Sequence, residues 1–282
     1  MKKLLTLTMI VALVFSLNAQ VTTPQPSPLS KLEQKVGLTD ITIEYSRPGV
    51  KDRKIFGGLE QYGKMWRTGA NKNTIITFSD PVTIGDYDVK PGSYSIYTEL
   101  NETIWNVYFY FDTENWGVPK KWDESKVAAI VKVQVQKIPF TVETFTIDIN
   151  NIRNASATID IMWENAYVSI PIKVPTDEKV LQSINTALNG EPSAQDYYSA
   201  AVYYLQENKD IKQAKEWIDK SISMTEKPAF WQLRQQSLIY AKAGDKEGAI
   251  AIARISLAGA KEAGNDQYVK FNEQSLKEWG AN

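Results

Sequence analysis

From residue 39 to residue 174 the chain alternates apolar and polar residues in short runs, and beyond Pro175 a helical period replaces that alternation. Ile41, Ile43 and Tyr45 point one way while Thr42, Glu44 and Ser46 point the other, as in a half-buried strand. Similar runs follow at 74–79, 93–100, 103–111, 127–136, 140–149, 155–163 and 168–174. Turn-forming pairs separate them: Gly85-Asp86, Pro91-Gly92, Asn101-Glu102, Asn150-Asn151 and Asn165-Ala166. Short strands with no helical period between them predict an antiparallel β-sandwich or barrel over 39–175 and disfavour a parallel α/β fold. The run 103–111 is aromatic on both faces, with Trp105, Phe109 and Phe111 on one and Tyr108 and Tyr110 on the other. Such a strand is central and covered on both sides, or one of its faces lines a groove.

Residues 176–282 read as a small helical domain. Thr176 is placed to N-cap a helix whose first turn holds Asp177 and Glu178. Beyond Gly190-Glu191-Pro192 two stretches look alike: Tyr204 precedes Ala214, Trp217, Ile218 and Ser221, and Tyr240 precedes Ala249, Ala253 and Ser256. The offset from Ala214 to Ala249 is close to the 34 residues of a tetratricopeptide helix pair. The reading is two tetratricopeptide-like pairs and a closing helix, the first pair carrying one extra residue in its turn. A plain helical bundle is the alternative.

The first nineteen residues predict a signal peptide. Lys2 and Lys3 precede an uncharged apolar stretch, and Leu17-Asn18-Ala19 offers a cleavage site. That stretch is shorter than the roughly 20 residues that span a bilayer. An uncleaved anchor is the alternative; no second apolar stretch of this kind follows. Residues 20–38, with three prolines among Thr, Gln and Ser, read as an extended lead-in. The expected location is the periplasm or the cell exterior, with no lipoprotein cysteine and no membrane span in the mature chain.

Function classes are narrowed most by two zero counts: the chain has no His and no Cys. These exclude Ser-His-Asp and Cys-His nucleophiles, His-ligated zinc or haem, thiolate chemistry and disulfides. A net charge of -1 gives no basic face for nucleic acid, and neither a cofactor nor a metal is expected. Asp86-Tyr87-Asp88 spaces two carboxylates as a calcium loop does but lacks the rest of that pattern, so it reads as a solvated hairpin turn.

Charge is unevenly placed. Between 47 and 72, seven basic residues (Arg47, Lys51, Arg53, Lys54, Lys64, Arg67, Lys72) face only Asp52 and Glu60, whereas 73–171 is net acidic. This stretch is long for a connection, and Ile55, Phe56, Leu59, Tyr62, Met65 and Trp66 argue that it packs down. Tyr45-Ser46-Arg47-Pro48, Arg53-Lys54-Ile55-Phe56-Gly57, Tyr62-Gly63, Trp66-Arg67-Thr68-Gly69-Ala70-Asn71 and Pro91-Gly92 with Tyr94 together resemble the signature of domain-of-unknown-function family 2911, over roughly 28–174. Members of that family are typically exported proteins of Gram-negative bacteria, often with tetratricopeptide-like helices at the C-terminal end. The resemblance implies domain boundaries and export and transfers no chemistry.

The motif must therefore be read by its own residues. An Arg fork beside hydroxyl and amide donors suits a carboxylate, phosphate or sulfate, and an adjacent Trp suits a sugar face. Arg47, Arg53, Lys54, Trp66, Arg67, Thr68 and Asn71 are accordingly the candidate ligand-binding residues. The competing reading makes Arg67 a structural ion paired with an acid such as Glu44 or Glu99. Trp116 and Trp122 are either glycan-stacking platforms or anchors of their loop. The favoured function is an exported binding protein for an anionic or glycan ligand, its helical repeats docking a protein partner. The alternatives are a structural envelope protein without a small ligand and a carboxylate-based hydrolase. Enzyme activity is left open, with the weight against it.

Overall fold

The structure, a computed structural model, describes residues 23–281; the signal peptide expected over 1–19 lies outside them. The chain divides after Thr176 into a β unit and a helical unit.

The β unit is a two-sheet sandwich in which neither sheet closes into a barrel. One sheet runs β1 (Leu29–Val36), β2 (Thr39–Ser46), β4 (Ala70–Phe78), β7 (Gly92–Glu99), β8 (Ile104–Tyr110) and β9 (Val127–Gln134), with the two-residue β3 (Met65–Trp66) also pairing β7. The other runs β10 (Gln136–Asn150), β11 (Ser156–Lys173), β5 (Val82–Ile84) and β6 (Tyr87–Val89), and every pairing is antiparallel. The inward residues of the two sheets form one core. Tyr45 ties the sheets together: its hydroxyl donates to the Ile147 carbonyl at 2.9 Å and accepts the Ile147 N–H at 3.0 Å.

Three expectations are corrected. The lead-in ends earlier, because 29–36 is a strand. It lies at the sheet edge with only Val36 fully buried and Lys31 paired with Glu33, so its apolar signal is weak. The strands expected at 155–163 and 168–174 are a single strand, β11. Asn165-Ala166 is a bulge rather than a turn, with Glu164 at φ 54° and residues 138–141 of β10 opposing Asn165 alone. Thr176 does not N-cap as expected: its hydroxyl accepts the Leu38 N–H at 3.4 Å and the residue is buried within the first helix. By contrast β8 is covered on both faces. Trp105 and Phe109 enter the core, while Trp122 covers Tyr108 and Tyr110 from outside, 4.6 Å from the Tyr110 ring.

The helical unit holds α1 (Thr176–Leu188), two hairpins and a closing helix. The hairpins are α2 (Ala194–Gln206) with α3 (Ile211–Ser223), and α4 (Phe230–Lys242) with α5 (Lys246–Glu262); α6 (Asp266–Glu278) follows. Fully buried Ala201, Ala214, Ala249 and Ala253 let paired helices approach closely. The same bond recurs in both hairpins: Ser221 donates to the Ala194 carbonyl and Ser256 to the Phe230 carbonyl, each at 2.7 Å. The turn at 207–210 is one residue longer than that at 243–245, as the sequence offset requires. No helix among the described residues is long and apolar enough to cross a membrane.

Candidate functional site

The basic stretch packs down as its apolar residues demand, bolted to the opposite sheet. Val50 N–H donates to the Glu143 carbonyl, and the Glu164 carboxylate accepts the N–H groups of Ile55 (3.1 Å) and Phe56 (3.4 Å). Arg53 closes the loop on itself through the carbonyls of Val50 and Gly49. Arg47 reaches the Phe145 carbonyl and the Thr146 hydroxyl. Their guanidinium groups bond main-chain oxygens of the loop and of β10.

Trp66, only 3% exposed, stacks on Trp163 (5.8 Å between centroids, 16° between planes) and meets Phe56, Trp105 and Phe145 edge-on or tilted. Its indole N–H donates to the Gly69 carbonyl, so the ring is core and has no face left for a sugar. Thr68 is buried at φ 54° with its hydroxyl on that of Thr98. Arg67 donates to the Asn71 carbonyl at 2.8 Å rather than to a carboxylate. Glu99, expected as one of its partners, accepts instead from Asn106 and Tyr108. The seven candidate residues therefore do not converge on one cavity. Asn71 and Lys54 each line one, and the two cavities differ.

The Asn71 cavity is a groove of about 450 Å³ whose walls include Glu44, Asn71, Lys72, Ile75 and Trp116. Trp116 is 73% exposed, yet the backbone beside it is pinned on several sides. The Gly117 N–H donates to the Asn73 side-chain oxygen at 2.7 Å, and its carbonyl accepts the Tyr97 hydroxyl. Asn73 also bonds the Tyr97 hydroxyl through its amide. The Arg67 guanidinium lies flat against Gly117, where an added Cβ would sit 3.4 Å from its central carbon. Trp122 in the same loop is the anchor, packed between three tyrosines. The Trp66–Asn71 motif thus acts from behind: it sets the turn that presents Asn71, itself at φ 59°, and supports the loop that presents Trp116. Glu44 and Asn73 carried no local signal, since each reads as one more residue of an alternating strand.

Comparison with protein families matches residues 27–172 to the family described as a protein of unknown function, DUF2911. The chain belongs to the DUF2911 family. Neither the curated proteins nor the solved structures yield a match. The matched segment of this DUF2911 chain runs from just before β1 almost to the end of β11, so nearly the whole sandwich falls inside it, with Glu44, Asn71, Lys72, Ile75 and Trp116 of the groove.

One titratable group of the DUF2911 domain stands out. Burial pushes the Glu60 carboxyl from its ordinary 4.5 up to about 7, against the opposing pull of Arg67 and Arg53. The acid that feels Arg67 is thus Glu60. An acid whose folded pKa is raised binds more protons folded than unfolded between about 4.5 and about 7. Stability therefore falls as pH rises through that window and levels off above it. Partial exposure reduces the drop to about 1–2 kcal/mol. Glu60→Gln should remove this slope in urea titrations between about pH 5 and about pH 8. A slope unchanged in that variant would assign it to another group.

Proposed function

We propose that this is an exported binding protein whose β domain takes a saccharide across Trp116. The observation that carries the reading is an indole exposed to solvent on a backbone fixed by buried bonds. An ordinary surface Trp would gain from packing down. One held outward at a groove mouth offers its face to the apolar side of a sugar ring without an ordering cost on binding. Asn71 and Glu44 can accept from ring hydroxyls, and Lys72 can donate to a hydroxyl or to an acidic sugar's carboxylate. The basic start and apolar stretch at 2–17, with the small residues after it, support export to the periplasm or beyond. The repeated helix pairs support a tetratricopeptide-like array that docks a protein partner.

The test is a fluorescence titration with neutral and uronic-acid-containing oligosaccharides. Trp116→Ala should weaken binding by about tenfold to a hundredfold, or about 1.4–2.8 kcal/mol, with little change in stability. Equal affinity of the variant and the parent would exclude the groove as the site. Binding by no oligosaccharide of the panel would favour the structural envelope role.

A further inference from the structure

The second cavity lies at the end of the sandwich where four separate segments meet, and it shares no lining residue with the groove. It has a volume of about 300 Å³. The loop 47–64 supplies Lys54 and Tyr62, the β7–β8 turn supplies Glu102, β10 supplies Lys137, and the β11 bulge supplies Glu164. The floor is apolar, from Phe56 and Trp105. The β10–β11 bulge opens this corner: without residues 138–141 opposing Asn165 alone, the two strands would continue as a flat ladder.

Among the described residues Lys54, Lys137 and Glu102 have no ion-pair partner, although charges of both signs border one small space. The negative side gathers at Tyr62. Its hydroxyl is pushed up by burial first, and then by the carboxylates of Glu102 and Glu164, so it stays a protonated donor. A cavity that offers ammonium groups, carboxylates and a phenol over an apolar floor does not suit a plain anion, which the two glutamates would repel. It suits a molecule carrying both charges a few bonds apart.

We propose that this corner is a binding site for a small zwitterion, an α-amino acid or short peptide. Its carboxylate is taken by Lys54 and Lys137 and its ammonium by Glu102, with the Glu164 carboxylate and the Tyr62 hydroxyl beside it. The volume stands at the small end of the range for ligand sites, which limits the occupant to about this size. The site is independent of the saccharide groove, and either can fail without the other.

The test is calorimetric titration of the full chain with L-alanyl-L-alanine, its N-acetyl form and its C-terminal amide. The zwitterion should bind, and blocking either end should weaken binding by at least about tenfold. Glu102→Gln, in an exposed turn, should abolish the discrimination against the N-acetyl form while leaving that against the amide. Lys137→Gln should do the reverse. Trp116→Ala should change nothing here. Equal binding of the blocked forms, or no heat from the zwitterion at millimolar concentration, would overturn the proposal.

Discussion

Replacing Trp66 by alanine is expected to cost about 3–5 kcal/mol of folding stability, read as a lower midpoint in urea with an unchanged slope. The ring is enclosed by Trp163, Phe56, Trp105 and Phe145. Four large rigid neighbours cannot collapse into the space of a deleted indole, so the cavity contribution comes on top of the lost transfer free energy. The same indole N–H holds the Gly69 carbonyl, in the turn that carries Thr68 and Asn71 at positive φ. Trp66→Phe should recover much of the packing and leave that carbonyl unbonded, separating the two contributions. A loss below about 1 kcal/mol for Trp66→Ala would mean that the cluster repacks and is not a fixed core.

The second large effect is expected at Asn73. Its side chain is a buried junction: the oxygen accepts the Gly117 N–H and the amide bonds the Tyr97 hydroxyl. Asn73→Ala strands the Gly117 N–H where water is excluded and leaves the Tyr97 hydroxyl only its bond to the Gly117 carbonyl, which should cost about 2–3 kcal/mol. It should also weaken saccharide binding without touching a saccharide, because the loop holding Trp116 loses its anchor. With 5-fluorotryptophan incorporated, the Trp116 resonance should narrow as that ring gains motion. Normal saccharide affinity in a destabilised Asn73→Ala protein would show that the platform is held by Arg67 and Tyr97 alone.

These positions explain what the sequence does and does not disclose. The order of strands followed by helices was legible because period and turn residues are local properties. Ile41, Ile43 and Tyr45 declare a face whichever partner covers it. The hairpin offset from Ala214 to Ala249 is local in the same way. The edge strand β1 escaped because an edge strand needs little apolar surface, and its Lys31 and Glu33 read as lead-in. The Glu164 bulge escaped because Asn165-Ala166 is also what a turn looks like.

The site was legible only in part, for a different reason. Arginines next to Gly, Thr and Asn do suit an anion. A long loop crossing a sheet end, however, also presents many carbonyls that need donors, and Arg47, Arg53 and Arg67 all serve main-chain oxygens. Sequence gives the donors and not the acceptors. Both cavities are assembled from strands and turns far apart in the chain: Glu44, Asn71 and Trp116 in one, Lys54, Glu102, Lys137 and Glu164 in the other.

The pairing of β11 with β5 has a consequence for how the protein is made. Ile172 pairs with Ile84 and Lys173 with Thr83, so the small β5–β6 hairpin finds its sheet only through the last strand of the domain. During synthesis the first sheet can be laid down from β1 to β9 in turn, but its inner face stays open until the β10–β11 hairpin arrives. A chain stopped before β10 therefore carries an uncovered aromatic surface, with Trp66 and Phe56 lacking the cover of Phe145 and Trp163. The family match ends at Ile172, where β11 pairs that small hairpin. The domain is complete only when its final strand closes on the hairpin that has been waiting for it.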